Sequence, residues 1–362
     1  MEVTRGLQIF LKCLDVAKVS DMNTIEKIFR LRILFLVVLT IVLIVLIPIS
    51  ISIGVYNIGF IDLIKYIFFG GLDLEAKSIL FLRFRRVLSS IVIGAILGSG
   101  GAAMQSILRN PMASPFTLGI SWAAALGVAI ALLTGIGGVA SQWFLSFLNP
   151  YIIPLFAFSF ALIQVAIVLL LVYRAGISEK ALILASIAMS FLYQAVLYFI
   201  QYFFLNELQV ALIVFWTFGD IGRVGWVELY ILLSALSIVS IYYILKSYDF
   251  DLMLLGDDSA TSSGINPKRF RLEAAVVTAF GASISTAFAG VIAFLCLVAP
   301  HIARLVIGSS HRYLIPASMA IGSILLVVAD IVGRGITYVT IPVGITISFI
   351  GSPLLLYLLL RR

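Results

Sequence analysis

The sequence predicts an all-α polytopic membrane protein with about ten transmembrane helices and cytoplasmic N- and C-termini. Three observations carry this. The 362 residues are 62% hydrophobic and only 11% charged, with a mean hydropathy of +1.17. A soluble domain carries about 25% charged residues, and a surface this apolar would self-associate in water. The apolar residues gather in runs near the roughly 20 residues that a helix needs to cross a bilayer. The cations are distributed unequally around those runs.

Taken in order, residues 1–32 are polar and mixed in charge, and they read as a cytoplasmic leader ahead of a membrane domain over 33–362. Within it, Leu7–Phe29 has some helical periodicity suited to a membrane surface, with a disordered leader as the equal alternative. The first apolar run begins only near Ile33 and has no small-residue cleavage site, so it reads as a retained span. Spans are expected at 33–54, 87–108, 117–138, 152–173, 181–204, 227–246, 272–290, 313–333 and 341–360. The stretch Gly290–Val306, apolar but short and broken by Pro300, makes a tenth. An even count puts both termini on one side. With the N-terminus inside, all but seven of the 24 Lys and Arg residues fall inside, the exceptions being Lys65, Lys77, Arg83, Arg85, Arg86, Arg223 and Arg334. That is the cation bias of a cytoplasmic face. In the second span Gly94 and Gly98 form a small-xxx-small pair, which lets helix backbones approach closely. No fixed-period repeat and no linker marks a second domain.

Several chemistries are disfavoured. Cys13 and Cys296 give no disulfide framework, and with His301 and His311 as the only histidines no metal-ligand spacing appears. No cofactor, metal or nucleic-acid partner is expected. His301, following Pro300, reads as a structural hydrogen-bonding residue. The apolar runs lack mid-membrane ionisable groups of the kind that relay protons, with Asp330 near the outer end of its span. No Gly-Lys dipeptide exists, hence no phosphate-binding P-loop. If ATP drives this protein, another polypeptide binds it. No nucleophile–base arrangement is visible, so the chain is not expected to be an enzyme. A stand-alone secondary transporter or channel is the alternative reading.

The charged faces carry more information. Arg83, Arg85 and Arg86 cluster at the outer start of the second span, against the bias, and Arg334 ends its span on the same face. They read either as lipid headgroup anchors or as a basic patch for an acidic partner. On the inner side, Asn110-Pro111 ends a helix in a tight turn, because proline disfavours helical geometry in its predecessor. Between the sixth and seventh spans, Asp257 and Asp258 suit the first turn of a short helix and Gly264 suits its end. Such a helix-turn is placed to pass motion to a soluble partner.

Four blocks then resemble a known family, the iron-siderophore/cobalamin/haem permeases of ABC importers. The first runs from Arg83 to Leu88 and on through Gly100, Met104-Gln105, Asn110-Pro111, Ala113, Pro115 and Leu118-Gly119. The second is Leu255-Gly256-Asp257-Asp258-Ser259-Ala260 to Gly264. The third is Ala289-Gly290, Ile292, Phe294, Pro300-His301-Ile302-Ala303-Arg304, His311-Arg312 and Pro316-Ala317-Ser318. The fourth is Asp330, Arg334, Ile341-Pro342-Val343-Gly344 and Ile350-Gly351-Ser352-Pro353. The resemblance implies a plasma-membrane homodimer. Two cytoplasmic ATPase subunits would dock on Leu255, Gly256, Asp257, Asp258, Ser259, Ala260 and Gly264. An external substrate-binding protein would present acidic residues to Arg83, Arg86 and Arg334. The cargo class would be a metal-chelate nutrient: iron-siderophore, haem or cobamide. Ser186, Ser190 and Gln194 of the fifth span are expected along the translocation path. Departures from the family pattern are Arg85 for a proline, Ala123 for a glycine, Ser263 for a leucine, and a charged Asp220.

Overall fold

The computed structural model describes residues 22–54, 74–135, 139–141, 144–146, 149–336 and 339–360. Most of the predicted leader, with Cys13, lies outside them. The helices are α1 (Met22–Ser52), α2 (Leu74–Ile107), α3 (Ile120–Leu133), α4 (Ile152–Arg174), α5 (Glu179–Phe204), α6 (Glu207–Thr217) and α7 (Trp226–Leu245). Then follow α8 (Ser247–Leu255), α9 (Asp257–Ser262), α10 (Pro267–Ala289), α11 (Leu295–Ile307), α12 (His311–Gly335) and α13 (Val343–Leu360). One short antiparallel hairpin, Val139–Ser141 with Phe144–Ser146, departs from the all-helical expectation.

Each predicted span falls on a helix. Among the described residues, seven helices (α1, α2, α4, α5, α7, α10 and α12) are long and apolar enough to cross a bilayer. The stretches predicted at 117–138, 290–306 and 341–360 contain shorter apolar helices, as does α6, which the sequence reading missed. The predicted break at Pro300 is a correction. Pro300 sits inside α11, and the chain breaks earlier, at residues 290–294, where Gly290 (φ 78°) and Phe294 (φ 63°) adopt left-handed backbone.

Helix α2 forms the centre. Of its most apolar window 89% is buried, against 11% for α1 at the periphery. The reason is its run of small residues. A side chain on Gly94 or Gly98 would strike the backbone of Gly322 or Ser318 in α12, and one on Gly101 would strike the Cys296 carbonyl oxygen of α11. That carbonyl lacks its usual intrahelical donor, because the residue four further on is Pro300 and has no N–H. Close approach of α2 therefore covers a backbone group that lipid would leave bare.

Arg85, which stands where the family pattern has a proline, lies inside α2, and α2 runs without interruption from Leu74 to Ile107. Its 34 residues make about 50 Å at 1.5 Å per residue, longer than a hydrocarbon core of about 30 Å. Its N-terminal turns therefore project beyond the core. Phe81 and Phe84 of these turns pack against Trp226 at centroid distances of 4.5 and 6.5 Å.

Candidate functional site

Two charged clusters sit at opposite ends of the α2–α12 pair, with a cavity beside the second. The first joins α1, α2, α12 and the segment before α7. Arg83 Nη1 donates to the carbonyls of Ile51 (2.8 Å) and Ser52 (3.2 Å). Arg334 donates to Ile53 O (2.8 Å), Ser50 O (3.0 Å) and Ser50 Oγ (2.7 Å). A helix leaves its last carbonyls without intrahelical partners, and these two guanidiniums satisfy those of α1. Asp330, its side chain fully buried, accepts a hydrogen bond from Arg86 Nε (2.6 Å) and pairs with Arg334 Nη2 (2.8 Å). Arg86 Nη2 also reaches Asp220 at 3.3 Å. Asp220 in turn accepts from the backbone N–H of Gly222 (2.8 Å) and caps a short 3-10 turn.

The three arginines predicted to form an open rim are thus brought together, but as an internal clamp. Arg83 and Arg334 are each only 9% exposed. The sequence reading missed this because it took the arginines as outward-facing and gave no partner to Asp330 or Asp220. The one available signal was that Asp330 and Arg334 stand four residues apart on a helix, which places them on one face.

The second cluster organises the predicted coupling turn. Gly256 takes φ 115° and ψ 162°, a conformation open only to glycine, and separates α8 from α9. Asp257 and Asp258 occupy the first turn of α9 as expected. Its end is a Schellman closure. The N–H of Gly264 (φ 86°) bonds Thr261 O, and that of Ile265 bonds Ala260 O. Ala260 is buried and Ile265 packs against the core. The closure takes its apolar contact from Ile265, so Ser263 in place of leucine does not disrupt it. Leu255 is 71% exposed, and Asp258 and Gly264 are exposed beside it, while Ser259 is half-buried.

What holds α9 is a charge group that the sequence did not reveal as one. Arg271, at the start of α10 and fully buried, bonds Asp257 Oδ1 (2.9 Å), Glu179 Oε1 (3.4 Å) and the terminal carbonyl of α2, Ile107 O (3.0 Å). Arg109 pairs with Glu179 and lies 3.5 Å from Asp257. Two cations and two carboxylates from four segments thereby close on one point. Arg109 is itself in left-handed backbone (φ 43°), at the turn predicted from Asn110-Pro111. There Asn110 Oδ1 accepts the N–H of Met112 at 2.9 Å.

Next to this turn, α5 and α3 enclose a cavity of about 350 Å³ lined by Asn110, Met112, Phe116, Trp122, Ser190 and Gln194, among others. Ser190 and Gln194 therefore line a cavity. Ser186 does not. It is buried one turn earlier, with its hydroxyl donating to Leu182 O at 2.7 Å. Hydropathy alone cannot say which serine of a helix faces a void. Among the described residues no group of three or more His, Cys, Asp and Glu side chains could hold a metal ion.

Comparison with known proteins agrees with this architecture. The chain is 40% identical over 332 residues to the Methanocaldococcus jannaschii protein MJ0087, named as an ABC transporter permease protein, covering 91% of this chain and 95% of that one. It is 33% identical over 292 residues to the vitamin B12 import system permease protein BtuC of Klebsiella pneumoniae, covering 80% and 85%. To the iron(3+)-hydroxamate import system permease protein FhuG of Bacillus subtilis it is 32% identical over 320 residues, covering 86% and 92%. A solved structure described as an inward-facing metal-chelate type ABC transporter superposes with a TM-score of 0.78 at 24% identity, over 91% of this chain and all of that one, which shows a shared fold. The FecCD transport family profile matches residues 42–361, and the chain belongs to that family.

Proposed function

We propose that this chain is the permease subunit of an ABC importer that carries a metal-chelate nutrient across the plasma membrane. It works as a homodimer with about ten crossings per chain and both termini in the cytoplasm. The observation that carries the reading is α9, a short helix pinned by Asp257 to Arg271 while Asp258 on its other edge and Leu255 at the adjoining end of α8 stay exposed. A lever needs a rigid seat and a free contact edge, and α9 has both. Two cytoplasmic ATPase subunits grip this edge. ATP binding and hydrolysis then rock the two permease copies as rigid bodies around a central pathway. The cavity beside Ser190 and Gln194 belongs to the inner part of that pathway. Relatives named for vitamin B12 and iron(3+)-hydroxamate import support the chelate class.

Replacing Leu255 by Asp should leave the permease folded, because the side chain is exposed, and reduce co-purification with the ATPase subunit about tenfold or more. Loss of an interface hot spot costs about 2 kcal/mol or more, and here the introduced carboxylate would also be buried unpaired. Undiminished ATPase capture, or uptake into vesicles without ATP, would overturn the proposal in favour of a stand-alone transporter.

The external binding protein docks at the end of the chain that holds Arg83, Arg86 and Arg334, with Arg86 meeting its carboxylate and the buried Arg83 and Arg334 bracing that surface. Since Arg86 is shared between Asp330 and the more exposed Asp220, a docking carboxylate competes first with Asp220. Asp220→Asn should raise binding-protein affinity about two- to fivefold, the range of a part-exposed ion pair, and the gain should shrink at high salt. An affinity that stays constant or falls would remove Arg86 from the docking surface. Charge reversal of Arg83 and Arg86 is a poorer test, because it also breaks the clamp.

A further inference from the structure

The end of α1 that enters the membrane carries a cationic corner with no use in coupling, docking or the pathway. Arg32 Cζ lies 5.3 Å from the ring centroid of Tyr313, and Arg312 Cζ lies 5.9 Å from the same centroid. Phe29 meets that ring edge-on at 6.2 Å. Arg32 Nη2 borders Gly308, the residue closing α11. Arg304, one turn before Gly308, has Nε and Nη2 buried without a hydrogen-bond partner, and Arg32 Nε is in the same condition.

Among the described residues no carboxylate pairs with Arg32, Arg304 or Arg312. The nearby acids are engaged elsewhere. Glu26 is bonded to Arg30 at 2.6 Å. Asp251 accepts from the backbone N–H of His311 and lies 2.7 Å from its Nδ1. Positive charge is therefore concentrated here without compensation among the described residues.

The position of the corner identifies the missing anion. Directly after Arg32, the outward face of α1 (Ile33, Leu34, Val37, Ile41, Ile44) is 42–60% exposed, and such a face in a membrane protein contacts acyl chains. Arg32 thus sits at the boundary where acyl chains give way to headgroups. Tyr313 is an aromatic residue of the kind enriched at that level. Planar guanidiniums bind phosphate oxygens through paired N–H donors.

We propose that the corner between α1 and the α11–α12 junction binds the phosphate of an anionic phospholipid. The lipid bridges Arg32 of α1 and Arg312 of α12 and tethers the most peripheral span to the core. A zwitterionic headgroup fits less well, because its ammonium would enter a site already holding three guanidiniums.

The test is thermal unfolding of the purified full chain in detergent, titrated with dioleoyl-phosphatidylglycerol, dioleoyl-phosphatidylcholine or inorganic phosphate. Phosphatidylglycerol should raise the melting temperature at lower concentration than phosphatidylcholine. In the Arg32→Gln/Arg312→Gln variant the half-effect concentration should rise about thirtyfold, given about 1 kcal/mol per arginine near an anionic surface. Arg269→Gln, at an exposed residue paired with Glu273, should respond as the unaltered chain. If the double variant does not fold, Arg312→Gln alone, at an exposed position, should show a smaller rise of the same kind. An unchanged phosphatidylglycerol response in the variants would overturn the proposal. So would equal stabilisation by phosphatidylcholine, or full stabilisation by inorganic phosphate.

Discussion

Asp330→Ala will lower the stability of the folded chain by about 3–5 kcal/mol, the cost of removing one partner from a buried ion pair. The side chain is fully buried and is the only carboxylate between Arg86 and Arg334 among the described residues. Its loss leaves Arg334 without a carboxylate among the described residues, and Arg86 with only the longer contact to Asp220 at 3.3 Å. Arg334 also holds three oxygen atoms at the end of α1, so the disturbance will spread to that helix. A melting curve of the purified variant should show a shift of many degrees, and surface expression should fall. Combining Asp330→Ala with Arg334→Gln should cost less than the sum of the single changes, because the second removes a cation that the first left uncompensated. A melting temperature equal to that of the unaltered chain would show that the clamp does not hold this end together.

The second large effect is expected at Arg271. Arg271→Ala removes a fully buried guanidinium that binds Asp257, Glu179 and the last carbonyl of α2. Two carboxylates then share Arg109 alone, and Ile107 O loses its donor. Asp257 and Glu179 are 42% and 23% exposed, so water compensates part of the loss, and about 3 kcal/mol is expected, the lower end of the buried-pair range. The functional effect should exceed the loss of stability. With α9 no longer seated on α2, α5 and α10, ATPase subunits still bind its exposed edge but move it without moving the core. Reconstituted complexes should hydrolyse ATP while transporting about tenfold less substrate per ATP. Arg271→Lys should recover part of the loss, since it keeps the charge and gives up the planar fork. Equal losses of hydrolysis and transport would assign Arg271 a purely structural role.

Much of this architecture is a local property of the sequence. Where a run such as 152–173 or 181–204 is apolar for about 20 residues, water expulsion from its side chains places it in lipid, and its backbone must then be helical. The turn at Asn110-Pro111 and the closure at Gly264 are local for a similar reason. Each depends on backbone angles that proline restricts and glycine permits. Gly94 and Gly98 announced a close helix contact, although the partner helix could not be read from them.

Ion-pair partners and cavity-facing side chains depend on tertiary structure. Arg86 and Asp330 are 244 residues apart, and nothing in either local sequence specifies the other. Their pairing follows from α2 packing along α12, which small residues on both helices permit. The same packing turned the predicted arginine rim into an internal clamp. It also turned four scattered charges, Arg109, Glu179, Asp257 and Arg271, into the seat of α9. Ser186 and Ser190 stand one turn apart on α5, yet only Ser190 reaches the cavity, because the path of α3 beside them decides which face is open. The sequence by itself determined which long segments are apolar helices and the turns at Asn110-Pro111 and Gly264, since solvation and backbone sterics act residue by residue. Only the tertiary structure decided which charges meet, because Coulomb and hydrogen-bond terms act across space and depend on how the helices pack.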